Sequence, residues 1–142
     1  KTPRMTESLT LENLKADETT TREVVRLIWR MGDEVGIVPR DKQSILMGVW
    51  QALDQGASFG VRWEEFLVAS AGMVRLPYWY GAPDLYFLAD RWFYVRSDFR
   101  GTRCAAMLVA AARKLARVRG AHAFISRRTP GERTFARVIQ IA

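Results

Sequence analysis

Between Trp92 and Ala121 the chain reads WFYVRSDFRGTRCAAMLVAAARKLARVRGA. An aromatic, β-branched run gives way to the turn RSDFRGTR, which opens an Ala/Leu/Arg segment of helical period. The residues able to do chemistry gather at that junction. A helix N-terminus presents unpaired N–H groups and the positive end of the helix dipole. A strand running straight into it shapes an anion pocket, for which phosphate is the usual guest. Gly101 lets backbone approach such a phosphate closely, and Arg100 and Arg103 add charge-assisted contacts. The same residues also fit an ordinary helix start with two solvated arginines. The glycines are too few for a dinucleotide-binding fingerprint, and no Gly-Lys-Ser/Thr closes an NTPase phosphate loop.

Composition narrows the remaining chemistry. The 142 residues suit one domain with a real core, 49% hydrophobic and 26% charged. One histidine and one cysteine do not build a zinc site of the usual kind, and they argue against a Cys/His nucleophilic pair. A lone cysteine also excludes an internal disulfide framework and fits a reducing compartment. No apolar run approaches the roughly 20 residues that cross a bilayer, and the start has no secretory pattern, so a cytoplasmic location is expected. The net charge of +7 favours an anionic partner: a phosphorylated cofactor, nucleic acid or an acidic protein surface.

The elements that must position the turn follow from periodicity. Residues 1–8 read as a loose terminus, 9–55 as a strand and two helices, and 56–142 as a sheet-forming core within one domain. LTLENL alternates as a short strand. DETTTREVVRLIWRMGDEVG predicts a helix, with Thr20 and Glu23 as a capping box, Val24, Leu27, Ile28, Met31 and Val35 on its apolar side and Gly36 as its stop. Asp41 caps a second helix whose apolar face is Ile45, Leu46, Val49 and Leu53. Two strands joined by a turn near Trp63–Glu65 follow, and LYFLADRWFYV carries the strongest strand signal. The helix after the turn carries Cys104, Met107, Leu108, Ala111, Leu115 and Val118 on one side, with Arg113, Lys114 and Arg117 largely off that stripe and Gly120 as its stop. HAFIS is a short strand, and Thr129 and Pro130 introduce a last helical segment, GERTFARVIQIA. The order implies an α/β or α+β sandwich.

The segment WFYVRSDFRGTRCAAML, with ARKLARVRGA behind it, resembles the central motif of GNAT-type N-acetyltransferases. In that family an aromatic-aromatic-Val strand leads to an Arg/Gln-x-x-Gly-x-Gly/Ala loop that opens a helix and binds the pyrophosphate of acetyl-CoA. Arg100 fills the first position and Ala105 the last, while Arg103 replaces the middle glycine. A phage-encoded branch of GNAT-like proteins has a similar loop, and GMVRLPYWYGAPDLYFLADRWFYV is similar to that branch too. The resemblance runs from about Phe66 to Ile139. It implies a mixed central sheet with two N-terminal helices, a long central helix after the phosphate-binding turn and a short C-terminal helix.

The resemblance also implies acetyl-CoA in a V between two splayed parallel strands. Backbone near Val95 would hold the pantetheine arm, and Arg100, Gly101, Thr102, Arg103, Cys104 and Ala105 the pyrophosphate. An amine would attack the thioester directly. Asp90 lies on the Val95 strand where the similar branch carries an acidic residue, and is the candidate base; an ion pair with Arg91 or another arginine is its competing role. Tyr94 would share Asp90's face by alternation and line the acceptor side, or serve as an aromatic core residue. Ser126 would touch the pantetheine or the acceptor. Cys104 reads as a buried small hydrophobe. If the last helix matches the family's, Ile139 stands where many members carry a proton-donating tyrosine, and the closing strands would be missing. Three readings therefore stand: an acetyltransferase acting on an unidentified amine; a degenerate GNAT-fold module binding protein partners, for instance in a phage virion; and a nucleic-acid binder using Arg113, Lys114, Arg117 and Arg119, which lacks an evident base-reading set.

Overall fold

A computed structural model describes residues 8–36, 39–127 and 137–142. The chain runs β1 (Leu9–Asn13), α1 (Glu18–Val35), α2 (Lys42–Asp54), β2 (Ser58–Trp63), β3 (Phe66–Pro77), β4 (Tyr86–Val95), α3 (Cys104–Arg119), β5 (Ala123–Arg127) and β6 (Arg137–Gln140), with a 3-10 turn at Ser97–Phe99 before α3. The six strands form one sheet in sequence order. Every neighbouring pair is antiparallel except β4 and β5, which run parallel and are joined through α3. This is the strand–helix–strand unit that the sequence predicts.

Helix boundaries follow local chemistry, with one shift. Asp17, rather than Thr20, caps α1: its backbone is extended and its carboxylate accepts the Thr20 N–H at 2.7 Å. An acidic acceptor three residues earlier takes the cap and leaves Thr20 inside the first turn. Asp41 caps α2 through the Ser44 N–H, as expected. Gly36 and Gly120 end α1 and α3 in the left-handed region that a glycine enters without a Cβ clash. Between β2 and β3 the chain reverses at Glu64, whose φ is also positive.

Two apolar layers sandwich the sheet. α3 packs Leu108, Ala112 and Ala116 against Phe59, Val61, Ala69, Ala71, Met73, Leu88 and Ile125, the alanines letting it sit close. On the other face α1 and α2 pack Val24, Leu27, Val49, Ala52 and Leu53 against Val74, Trp92 and Tyr94. Two residues expected on apolar helix faces do not reach these layers. Leu46 is exposed because α2 turns Val49, Ala52 and Leu53 inward, and Val118 is exposed because the inner stripe of α3 runs through Leu108, Ala112 and Ala116.

The largest correction concerns the C-terminal segment. Residues 137–140 form β6, antiparallel to β5, where a helix is expected; residues 131–136 of that expected helix, with Thr129 and Pro130 before it, lie outside the described residues. The reason is a two-residue period. Val138 is exposed, Ile139 packs against the α3 layer and Ile141 is buried, and β5 offers a free edge to pair with. Ile139 pairs with Ile125 in the sheet, so it does not occupy a helical proton-donor position.

Candidate cofactor and active site

The parallel pairing of β4 with β5 is short: Leu88 opposes Ala123 and Ala89 opposes Phe124. Beyond Ala89 the strands part. On the other side of β4, Met73 pairs with Asp90 but Gly72 pairs with Trp92, leaving Arg91 as an extra residue. Such a bulge bends its strand and increases its twist. Contacts on the α1/α2 face hold it. Arg91 donates to the Gly48 carbonyl at 3.0 Å and to Gln51 Oε1 at 3.2 Å. Trp92 is buried, and its Nε1 donates to Ser70 Oγ at 2.9 Å. Its ring lies over Gly72 so closely that a Cβ there would sit 2.3 Å from Trp92.

The bulge overturns one expectation. Asp90 pairs with Met73, on the α3 side, while Tyr94 pairs with Ser70 and packs with the α1/α2 layer. The extra residue breaks the alternation, so Asp90 and Tyr94 lie on opposite faces. Asp90 instead meets Ser126: its Oδ1 accepts the Ser126 N–H at 2.8 Å. Because a strand N–H points along the sheet plane, the carboxylate sits in the gap between β4 and β5, at the throat of the V. Burial pushes the Asp90 carboxyl above its ordinary value, and the Ser126 N–H only partly offsets this. Arg91 is engaged on α2, and among the described residues Asp90 has no ion-pair partner.

Below the throat, the Arg96 N–H donates to the Val68 carbonyl at 2.9 Å. By alternation the N–H and C=O of Val95 point the other way, into the gap. The chain then turns. Arg96 grips Asp98 through two bonds of 2.8 and 2.5 Å, and Phe99 is fully buried. Gly101 has φ +84°, and a Cβ at that position would meet nothing within 4 Å, so the turn is open outward. Thr102 Oγ1 donates to the Phe99 carbonyl at 2.5 Å and accepts the Cys104 N–H at 3.4 Å. Arg103 precedes α3 without a capping side-chain bond. The first-turn N–H groups of Ala105 and Ala106 therefore face outward beside an exposed guanidinium.

Arg100 is held differently. It donates to the Val95 carbonyl at 3.2 Å and to Glu34 Oε2 at 2.5 Å, and its guanidinium lies 5.6 Å from the Tyr94 ring centre. Tyr94 donates its hydroxyl to Glu34 Oε1 at 2.5 Å. Burial pushes the Tyr94 hydroxyl up to about 12, with Glu34 adding to the shift. For Glu34 itself burial acts upward, but the bonds from Arg100 and Tyr94 prevail and hold its carboxyl below its usual range. No sequence pattern signals Glu34, which stands at the far end of α1, 66 residues from Arg100.

The other reactive side chains are placed away from the gap chemistry. Cys104 is fully buried, and burial pushes its thiol up, away from the reactive thiolate. The exposed His122 contacts the Ala142 carbonyl and Gln140 at the strand edge. Of the basic residues on α3, Arg113 donates to the Ile141 carbonyl and Arg119 to that of Gln55, so two of the four are spent inside the fold.

No protein-family model matches the chain, and no curated protein matches it. Solved structures do. A GCN5-related N-acetyltransferase from Kribbella flavida superposes with a TM-score of 0.68 at 17% identity, over 87% of this chain and 31% of its own. A predicted acetyltransferase from Clostridium acetobutylicum with acetyl-CoA gives 0.67 at 15% identity, over 87% and 82%. The chain has the GNAT fold. An aminoglycoside acetyltransferase from an uncultured soil sample, in complex with sisomicin, gives 0.63 at 14% identity, over 85% and 78%. The chain spans under a third of the Kribbella protein's length. The phage-encoded branch gains no support from these neighbours. Within the GNAT fold, the β4–turn–α3 unit and the parted β4/β5 pair stand where the sequence motif predicts them.

Proposed function

We propose that the chain binds acetyl-CoA and transfers its acetyl group to an amine. One observation carries this reading: β4 and β5 part just below Ala89, and the gap leads past the Val95 N–H to the start of α3, which Arg103 precedes without a capping side-chain bond. That path suits an extended thioester arm ending in a pyrophosphate. The Val95 N–H would bind the arm at the edge of β4, and Ala105, Ala106 and Arg103 would bind the pyrophosphate. Gly101 leaves room for close approach. The cofactor supplies the activated acetyl group as its thioester. The attacking amine forms the new C–N bond as the C–S bond breaks, and its proton passes to the Asp90 carboxylate while the thiolate leaves. The acetyl-CoA and the sisomicin present in two of the similar structures support a cofactor and an amine acceptor of these chemical kinds.

Calorimetric titration with CoA tests the cofactor half. Arg103→Ala is expected to weaken binding roughly tenfold, the loss of one charge-assisted contact. Glu34→Gln keeps a partner for Tyr94 but frees Arg100 from its exposed ion pair, and is expected to tighten binding by roughly two- to fivefold. A parent chain that shows no CoA binding overturns the proposal. Release of free thiol in the presence of an amine tests the transfer itself.

A further inference from the structure

A second cleft opens on the β3 side of β4, away from the gap between β4 and β5. Tyr94 packs with the α1/α2 layer, so alternation puts the Arg96 side chain on that face too. There Arg96 meets α1 and the start of β3 around a cleft of about 170 Å³. Arg26 and Arg30 line it from α1, and Phe66 from the first position of β3 with Glu65 just before it. The buried Leu27 and Leu67 add an apolar patch to its wall.

The charges around this cleft do not cancel. Glu23 also borders it, but both its oxygens are taken by Arg62, at 2.7 and 2.8 Å. Glu34, one turn beyond Arg30, is held by Tyr94 and Arg100. Among the described residues Arg26 and Arg30 therefore have no ion-pair partner. Arg96 spends its Nε and Nη2 on Asp98, and among the described residues its Nη1 has no acceptor. Against these stands Glu65, an exposed carboxylate at the rim. Two like charges one turn apart repel and weaken a helix, and an anion bridging them reverses that effect. Phe66 is 48% exposed beside the guanidiniums, an open ring face suited to a flat apolar group.

We infer that this cleft is a second anion site, separate from the cofactor path, and that its ligand is a phosphate monoester carried on a flat ring. The three terminal oxygens of the phosphate give each guanidinium an acceptor, a match that the two oxygens of a carboxylate do not complete. The ring rests on Phe66. The cleft is smaller than the roughly 300 Å³ at which pockets enclose a drug-sized ligand, so it takes one phosphate and one ring. The inference stands apart from the acetyl-transfer reading, because none of its side chains is among those assigned to CoA.

The test titrates phenyl phosphate into the chain by calorimetry and follows the Arg96 Nε–H resonance, with methyl phosphate and phenylacetate as comparisons. Phenyl phosphate is expected to bind roughly tenfold more tightly than either. Arg26→Ala/Arg30→Ala weakens it roughly ten- to hundredfold. Both arginines are exposed, so the urea midpoint of that variant does not fall. Phe66→Ala removes the preference over methyl phosphate, and Glu65→Gln tightens binding roughly two- to fivefold. Arg103→Ala and saturating CoA leave phenyl phosphate binding unchanged. No saturable binding at millimolar concentration, or binding that survives Arg26→Ala/Arg30→Ala, overturns the inference. So does equal binding of phenylacetate, which removes the phosphate class. Binding that is lost in Arg103→Ala or displaced by CoA also overturns it, by placing the anion at the start of α3. A chain that binds phenyl phosphate in this pattern but no CoA keeps the inference and loses the acetyl-transfer reading; one that binds CoA but no phenyl phosphate does the reverse.

Discussion

Asp90→Asn is expected to lower acetyl transfer by roughly 10²–10⁴-fold, the contribution of a positioned general base, while leaving CoA affinity unchanged. The substitution is close to isosteric, and the asparagine Oδ1 still accepts the Ser126 N–H, so the throat keeps its geometry. Only the proton-accepting capacity is lost. The pH dependence gives a second readout. Burial raises the Asp90 carboxyl above its ordinary value, so the parent's rate falls as pH drops through that raised value, where the base becomes protonated. With a weakly basic acceptor, whose own protonation lies lower, this limb is visible, and it vanishes in the variant. Stability moves the opposite way. A carboxyl whose pKa is raised by folding binds its proton more tightly in the native state, so its contribution is fully present below the unfolded value and is lost as pH rises through the folded value. At neutral pH the buried charge costs stability, and Asp90→Asn is expected to raise the melting temperature slightly as it lowers the rate. Turnover that ignores the substitution would leave the fold untouched but remove Asp90 as the base.

The part of the site built from contiguous residues is legible in sequence. An aromatic strand, a glycine-bearing turn and an alanine-rich helix announce themselves through period and turn chemistry, and β4, Gly101 and α3 stand where those signals place them. The parts that depend on contact between distant segments are not. The bulge at Arg91 arises because Trp92 packs over Gly72 and Arg91 reaches α2, and no local pattern encodes either contact. Without the bulge, simple alternation puts Asp90 and Tyr94 on one face; with it, Asp90 turns to Ser126 and Tyr94 to Glu34. The strand β6 escapes for a different reason. Four residues alternate too briefly to outvote a helical reading, and only the edge offered by β5 decides between them.

The same bulge yields the largest expected effect on stability. Gly72→Ala is expected to destabilise the fold by about 2–4 kcal/mol, combining overpacking of a filled layer with strain on a buried hydrogen bond. The new methyl would lie 2.3 Å from the Trp92 ring, and that indole cannot withdraw without breaking its bond to Ser70, whose hydroxyl donates in turn to the Phe59 carbonyl. Urea unfolding measures the loss. A double-mutant cycle with Trp92→Leu identifies its origin. Trp92→Leu alone opens a cavity of the kind that costs several kcal/mol. Combined with Gly72→Ala, the methyl occupies space the indole has vacated, so the double variant should be more stable than the sum of the single losses predicts. Additive losses would mean that Gly72 is required for some reason other than the indole. CoA affinity should track the cycle as well. On the proposed acetyl-CoA reading, Gly72→Ala is expected to weaken CoA binding as well, because Trp92 sits at the bulge, and a bulge bends its strand.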